Sequence, residues 1–151
     1  MEINTICVIG AGTMGSGIAQ VAAQSGCYTL VVDINTAMRE KQDIFRNIKF
    51  VTDTNDCLAD VFIEAIVEKV EAKSAIFNQL AEINHSEVIF ATNTSSLSVS
   101  DIQAQVIHPE RVVGMHFFNP APVMKLVEVV KGNQTTDAVA ATIMQLCKQM
   151  N

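Results

Sequence analysis

The sequence predicts an α/β fold, a doubly wound and mainly parallel sheet in a single domain, on three observations. Short apolar runs rich in Val and Ile recur along the chain, helical patterns lie between them, and the first run ends in a glycine-rich turn. Runs that stay apolar throughout belong to strands buried on both faces, as in parallel sheets covered by crossover helices. The length of 151 residues suits one hydrophobic core.

The elements follow in order. Residues 6–9 form the first apolar run, and Met14, Ile18, Val21 and Ala22 then recur at helical intervals. Residues 28–32 are a second strand, followed by room for one helix near residues 37–47 and a weaker strand at 48–51. The run at 61–65 precedes a helix carrying Ala72, Ile76, Leu80 and Ile83. Further strands are expected at 88–91, 112–115 and 126–130, and a last helix carries Val139, Ile143, Leu146 and Met150. That helical pattern runs to the end of the chain without a capping Gly, so one domain over 1–151 that ends in its last helix is expected.

Composition excludes several classes. With 49% apolar and 17% charged residues the chain is globular rather than disordered. A net charge of −6, without any stripe of Lys or Arg, argues against a nucleic-acid partner. Mean hydropathy is +0.28, but Glu64, Lys69 and Asp101 interrupt the apolar runs well short of the ~20 residues that span a membrane. The first apolar run follows Met1 too closely for a secretory leader, so a cytoplasmic location is expected. Cys7, Cys27, Cys57 and Cys147 are widely spaced and do not combine with His85, His108 or His116 at metal-ligand intervals. No metal is expected, and the cysteines read as small buried hydrophobes.

Gly10, Ala11, Gly12, Thr13, Met14 and Gly15 fit G-x-G-x-x-G between a strand and a helix beginning near Thr13. The first Gly permits the tight turn, the second lets the backbone approach a pyrophosphate, and the third allows helix and strand to pack closely. The helix N-terminus offers N–H groups and a partial positive charge to the phosphates. Asp33 ends the second strand roughly 20 residues on, where an acid that bonds an adenosine ribose is expected. Its charge favours NAD over a 2′-phosphorylated cofactor, and Ile34 and Asn35 bring no cation; Arg39 lies further along. Strand, loop, helix, second strand and acid in this order point to a Rossmann-type dinucleotide-binding domain.

Two later segments place polar groups at strand ends: Ala91, Thr92, Asn93, Thr94, Ser95 and Ser96, then Met115, His116, Phe117, Phe118, Asn119 and Pro120. In an open α/β sheet these ends form the ligand crevice, so Asn93, Ser95, His116 and Asn119 converge there. Flanked by Met and two Phe, His116 also fits a neutral core histidine. Glu128 sits in an apolar run and either pairs with a nearby imidazole or faces water on an edge strand. A carboxylate on one ring nitrogen would fix the tautomer and leave the other nitrogen as a general base.

The chain resembles the nucleotide-binding domain of the 3-hydroxyacyl-CoA dehydrogenases, including the 3-hydroxybutyryl-CoA dehydrogenases. The resemblance rests on CVIGAGTMGSGIAQVAA, VFIEAIVEKVEAKSAIF, FATNTSSLSVSDI and RVVGMHFFNPAPVMKLVEVV, which cover most of the chain. It implies an NAD-dependent oxidoreductase of fatty-acid β-oxidation acting on an acyl-CoA thioester. By the same resemblance, His116 is the base that takes the proton of the substrate's 3-hydroxyl, and Glu128 is its orienting partner. Ser95 matches a hydroxyl that contacts substrate and cofactor, and Asn119 an amide near the nicotinamide and the reacting oxygen. Residues 10–15 and Asp33 match the pyrophosphate and adenosine contacts, and Asn93, Glu68 and Lys73 match positions that reach the cofactor. Read from the residues alone, Glu68 and Lys73 are solvated charges at a helix start.

The family also carries a helical second domain, and a long helical hairpin after its second strand that contacts coenzyme A. Neither has counterparts here. Apolar surface that the second domain would cover is expected to drive association unless another chain or domain covers it. Two other functions remain in view: an NAD-binding module inactive without a second domain, and a dehydrogenase of a smaller hydroxy acid, like L-gulonate dehydrogenase or lambda-crystallin.

Overall fold

The computed structural model describes residues 1–33 and 47–150. The helix expected near residues 37–47, and Arg39 with it, falls, except for Asn47 at its end, on residues 34–46, outside that description.

The strands are β1 (Thr5–Ile9), β2 (Tyr28–Val32), β3 (Ile48–Val51), β4 (Val61–Glu64), β5 (Ile89–Thr92), β6 (Val112–Phe117) and β7 (Val127–Lys131). The helices are α1 (Thr13–Gln24), α2 (Val70–Ile83), α3 (Val99–Gln103), α4 (Ala121–Met124) and α5 (Asp137–Met150). The described residues form one seven-stranded sheet in the order β3-β2-β1-β4-β5-β6-β7. Every neighbouring pair is parallel except β6 and β7.

Continuous apolar strands are explained by two cores, one on each face of the sheet. Ile6 and Val8 of β1, with Val61 and Ile63 of β4, pack under α1 and α5 together with Ile18, Ile143 and Leu146. Cys7, Ile9, Phe62 and Phe90 point to the other face, against Phe77 and Leu80 of α2 and Ile102 of α3. The Phe77 and Phe90 rings lie 5.1 Å apart. This is the doubly wound arrangement.

The expected run at 126–130 differs in kind. It forms β7 one residue later, at the sheet edge, with Leu126 51% exposed and Val130 44% exposed. An antiparallel edge strand needs only one covered face, so Val127 and Val129 turn toward α5 while Glu128 and Val130 turn outward. The short helices α3 and α4 lack the repeat length that makes periodicity visible. All four cysteines are buried and unbridged. Burial pushes the Cys147 thiol up to about 11, and a shared hydrogen bond with Cys57 holds Cys7 above its ordinary value. Among the described residues no helix is long and apolar enough to cross a membrane.

Candidate active site

The strand order reverses between the parallel neighbours β1 and β4: the chain passes from β1 to β2 on one side and from β4 to β5 on the other. Loops leaving their carboxyl ends part there and open a crevice. The glycine loop forms one wall. Gly10 has φ +95°, and a Cβ on it would lie 2.8 Å from the Ala65 carbonyl oxygen. A Cβ on Gly15 would meet the Gly10 carbonyl oxygen at 1.8 Å, so only Gly lets α1 sit this close to the turn. Around Gly12 the space is open, with no atom within 4 Å of a Cβ there. Gly12 also caps α1 without any side-chain hydrogen bond. An open approach to a helix N-terminus suits a pyrophosphate.

Asp33 closes this wall. Its Oδ2 accepts the Ala11 N–H at 2.5 Å, and the Gly10 N–H donates to the Val32 carbonyl at 2.8 Å. The spacing between loop and acid therefore has a local reason: the end of β2 is tied to the turn after β1.

The second wall comes from β4, β5 and β6. Met14, Ala65, Ile66, Glu68, Asn93, Ser95, His116, Phe117, Phe118 and Asn119 surround a cavity of about 330 Å³. His116 lies within β6 rather than after it, directly opposite Glu128 in the β6–β7 register. Its Nδ1 is 2.9 Å from Glu128 Oε2. Glu128 is more than half exposed, so both residue-level readings meet: an edge-strand carboxylate that faces water also holds the imidazole. The Phe118 ring packs on the imidazole with centroids 4.7 Å apart. With Nδ1–H given to the carboxylate, Nε2 of the neutral ring is the accepting nitrogen. Asn93 Oδ1 accepts the Phe117 N–H at 2.8 Å and fixes the end of β6 beside the histidine.

Lys73 is not in the cavity. It is fully buried, with Nζ 2.6 Å from Glu64 Oε1 and 2.9 Å from Glu68 Oε1. A buried ammonium needs such partners, and α2 places it beneath the crevice floor. Sequence reasoning missed Glu64, Thr92 and Thr94. Their one signal is a carboxylate and hydroxyls at the ends of otherwise apolar strands. Among the described residues no group of three or more His, Cys, Asp and Glu could hold a metal.

Residues 5–43 and 36–151 match the family model described as "3-hydroxyacyl-CoA dehydrogenase, NAD binding domain". The chain belongs to the 3-hydroxyacyl-CoA dehydrogenase family. NAD is the cofactor of this domain, and the open Gly12 turn, the uncapped helix and Asp33 fit it. The domain is 40% identical to the 3-hydroxyadipyl-CoA dehydrogenase of Escherichia coli (strain K12) over 172 positions, covering 98% of this chain and 36% of that protein. A probable 3-hydroxybutyryl-CoA dehydrogenase of Bacillus subtilis (strain 168) is 39% identical, covering 99% of this chain and 61% of that protein. The crystal structure of an Escherichia coli 3-hydroxybutyryl-CoA dehydrogenase superposes with a TM-score of 0.91 at 39% identity, over 99% of this chain and 37% of that one. The chain thus spans between about a third and three fifths of the length of these relatives. Alignments longer than the chain show that the relatives carry extra residues, and the family match breaks at residues 36–43, in the connection between β2 and β3.

Proposed function

We propose that this domain carries the catalytic half of an NAD-dependent 3-hydroxyacyl-CoA dehydrogenase, interconverting a 3-hydroxyacyl-CoA and its 3-oxoacyl-CoA. The observation that carries the reading is the His116–Glu128 pair at the cavity wall, across the crevice from the glycine loop. Oxidising a secondary alcohol requires a base for the hydroxyl proton and an acceptor for the hydride. NAD, when bound, supplies the hydride acceptor. His116 takes the hydroxyl proton at Nε2, and Glu128 holds the ring in one tautomer and faces the positive charge that develops. Ser95 and Asn119, both on the cavity wall, bind and orient the reacting oxygen. Gly10, Ala11, Gly12, Thr13, Met14, Gly15 and Asp33 hold the cofactor's pyrophosphate and adenosine, with Asn93 and Glu68 further along the cleft.

The test is loss of NADH absorbance with acetoacetyl-CoA at high enzyme concentration, run beside His116→Ala. Turnover in the wild type should fall by roughly 10²–10⁴-fold in the variant, with NADH affinity nearly intact. Equal loss of cofactor binding would remove His116 from the base's role. The break at residues 36–43 favours one second reading, a dehydrogenase of a smaller hydroxy acid. Turnover of such a substrate with none on acetoacetyl-CoA would select it.

A further inference from the structure

Beneath the cavity floor a line of charged and hydroxyl groups connects the buried sheet to the loop that carries Ser95. It starts at Glu64, the last residue of β4, which is completely buried. Glu64 Oε1 accepts the Ile66 N–H at 2.6 Å and Lys73 Nζ at 2.6 Å, while Oε2 accepts the Thr92 hydroxyl at 2.8 Å. Lys73 spans to Glu68 Oε1. Glu68 Oε2 then accepts the hydroxyls of Thr94, at 2.5 Å, and Ser96, at 3.2 Å. Thr94 Oγ1 in turn accepts the Leu97 N–H at 2.9 Å and the Ser96 N–H at 3.4 Å. Ser95 is therefore bracketed by two residues whose hydroxyls end on the same carboxylate.

We propose that Glu64 is a positioning residue: through its buried ion pair with Lys73 it sets Glu68 and the residue 93–97 loop, and so Ser95, without itself lining the cavity. This deepens the proposed function and rests on its placing Ser95 and Glu68 in the site. The pair is a specificity device more than a stabiliser: burying two charges costs about as much as their attraction returns, while a single broken partner leaves the other uncompensated. Two carboxylates on one ammonium give the ammonium a fixed position between β4 and the loop. A flexible lysine on the surface would not supply that.

Protonation gives the pair a signature that a packing role lacks. Burial holds the Glu64 carboxyl above the ordinary carboxylate range, against the opposing pull of Lys73. The charged groups that face it are Lys73 on α2 and, across that ammonium, Glu68. Lowering the pH protonates Glu64 above the ordinary carboxylate range, which releases Lys73 and loosens the loop. NADH affinity should fall in step.

Two readouts on the full chain test this. Amide hydrogen exchange at Ser96 and Leu97, without cofactor, reports the loop, and NADH titration by calorimetry reports the site. Glu64→Gln should speed exchange at both amides about tenfold and weaken NADH binding about tenfold, as expected for losing one charge-assisted bond. Exchange in β1 should be unchanged. Glu64→Gln should also flatten the fall of NADH affinity with falling pH. Should Glu64→Gln not fold, Thr92→Val removes one bond to the same carboxylate without changing charge and should show the same exchange increase to a smaller degree. Unchanged exchange at Ser96 and Leu97 in a folded variant overturns the positioning role. A wild-type chain that fails to bind NADH overturns the proposed function instead, and the exchange data still decide whether the pair anchors the loop.

Discussion

Gly12 and Gly15 show how one residue type serves two physical ends three positions apart. At Gly15 a methyl group would overlap the Gly10 carbonyl oxygen at 1.8 Å, and backbone cannot move aside as a flexible side chain can. Gly15→Ala should therefore destabilise the fold by about 4 kcal/mol or more, measurable by thermal or urea unfolding. At Gly12 the same methyl would meet no protein atom within 4 Å. Gly12→Ala should change stability by no more than about 1 kcal/mol, yet lower NADH affinity at least tenfold, because the methyl fills the approach to α1. Unchanged affinity in a folded Gly12→Ala would remove the pyrophosphate from that turn. These roles were legible in the sequence because the turn, the helix start and Asp33 are close along the chain and bonded locally. The place of Lys73 was not legible. Its burial depends on Glu64 and Glu68, and a lysine at the start of a helix reads as solvated until both partners are located.

Among elements, β6 carries the chemistry, and its position depends on a clamp the sequence did not announce. Gln103, on α3, is 1% exposed. Its Nε2 donates to the carbonyls of Pro109 and Val112 and to Thr135 Oγ1, while Oε1 accepts the Gln134 N–H. One side chain thus ties α3, the start of β6 and the turn before α5. Gln103→Leu keeps approximate volume but takes the partner of the Gln134 N–H and leaves Pro109 O, Val112 O and Thr135 Oγ1 with only their bonds from the Val112 N–H, the Thr135 hydroxyl and the Gly132 N–H, so a loss of about 1–3 kcal/mol in unfolding free energy is expected. A change under about 0.5 kcal/mol would show that the surrounding groups find other partners. The strands themselves were readable, since buried parallel strands leave uninterrupted apolar runs with ends fixed to within a residue or two, as at β2 and β3. For β7 the same rule misled. Val127, Val129 and Val130 give an apolar run, but an edge strand shows water one face, and nothing in five residues distinguishes a covered face from an open one.

At the scale of the whole molecule, the sheet covers its faces unevenly. Most strands are sealed between helices, whereas the region around β7 and α4 exposes Val123 at 69%, Leu126 at 51%, Met124 at 46% and, on α5, Met144 at 51%. Leu126, Val127, Val129, Met144 and Cys147 line a depression of about 530 Å³ with Lys125 and Lys148 beside it. Exposed apolar side chains gathered around one depression mark an interaction surface, and burying them stabilises contact by roughly 25 cal/mol per Å². Opposing association is the net charge of −6, which repels like copies over about 10 Å at moderate ionic strength. Salt weakens the repulsion without weakening the apolar attraction. Light scattering should therefore find a weight-average mass above that of one chain, rising with protein concentration and rising further on adding salt. Met144→Glu should return the protein to a monomer, since it places a charge in the apolar lining and adds to the repulsion. A wild-type chain that stays monomeric across concentration and salt would mean that the exposed apolar side chains are too scattered to act as one surface, and salt sensitivity of the opposite sign would place the contact at charged residues instead.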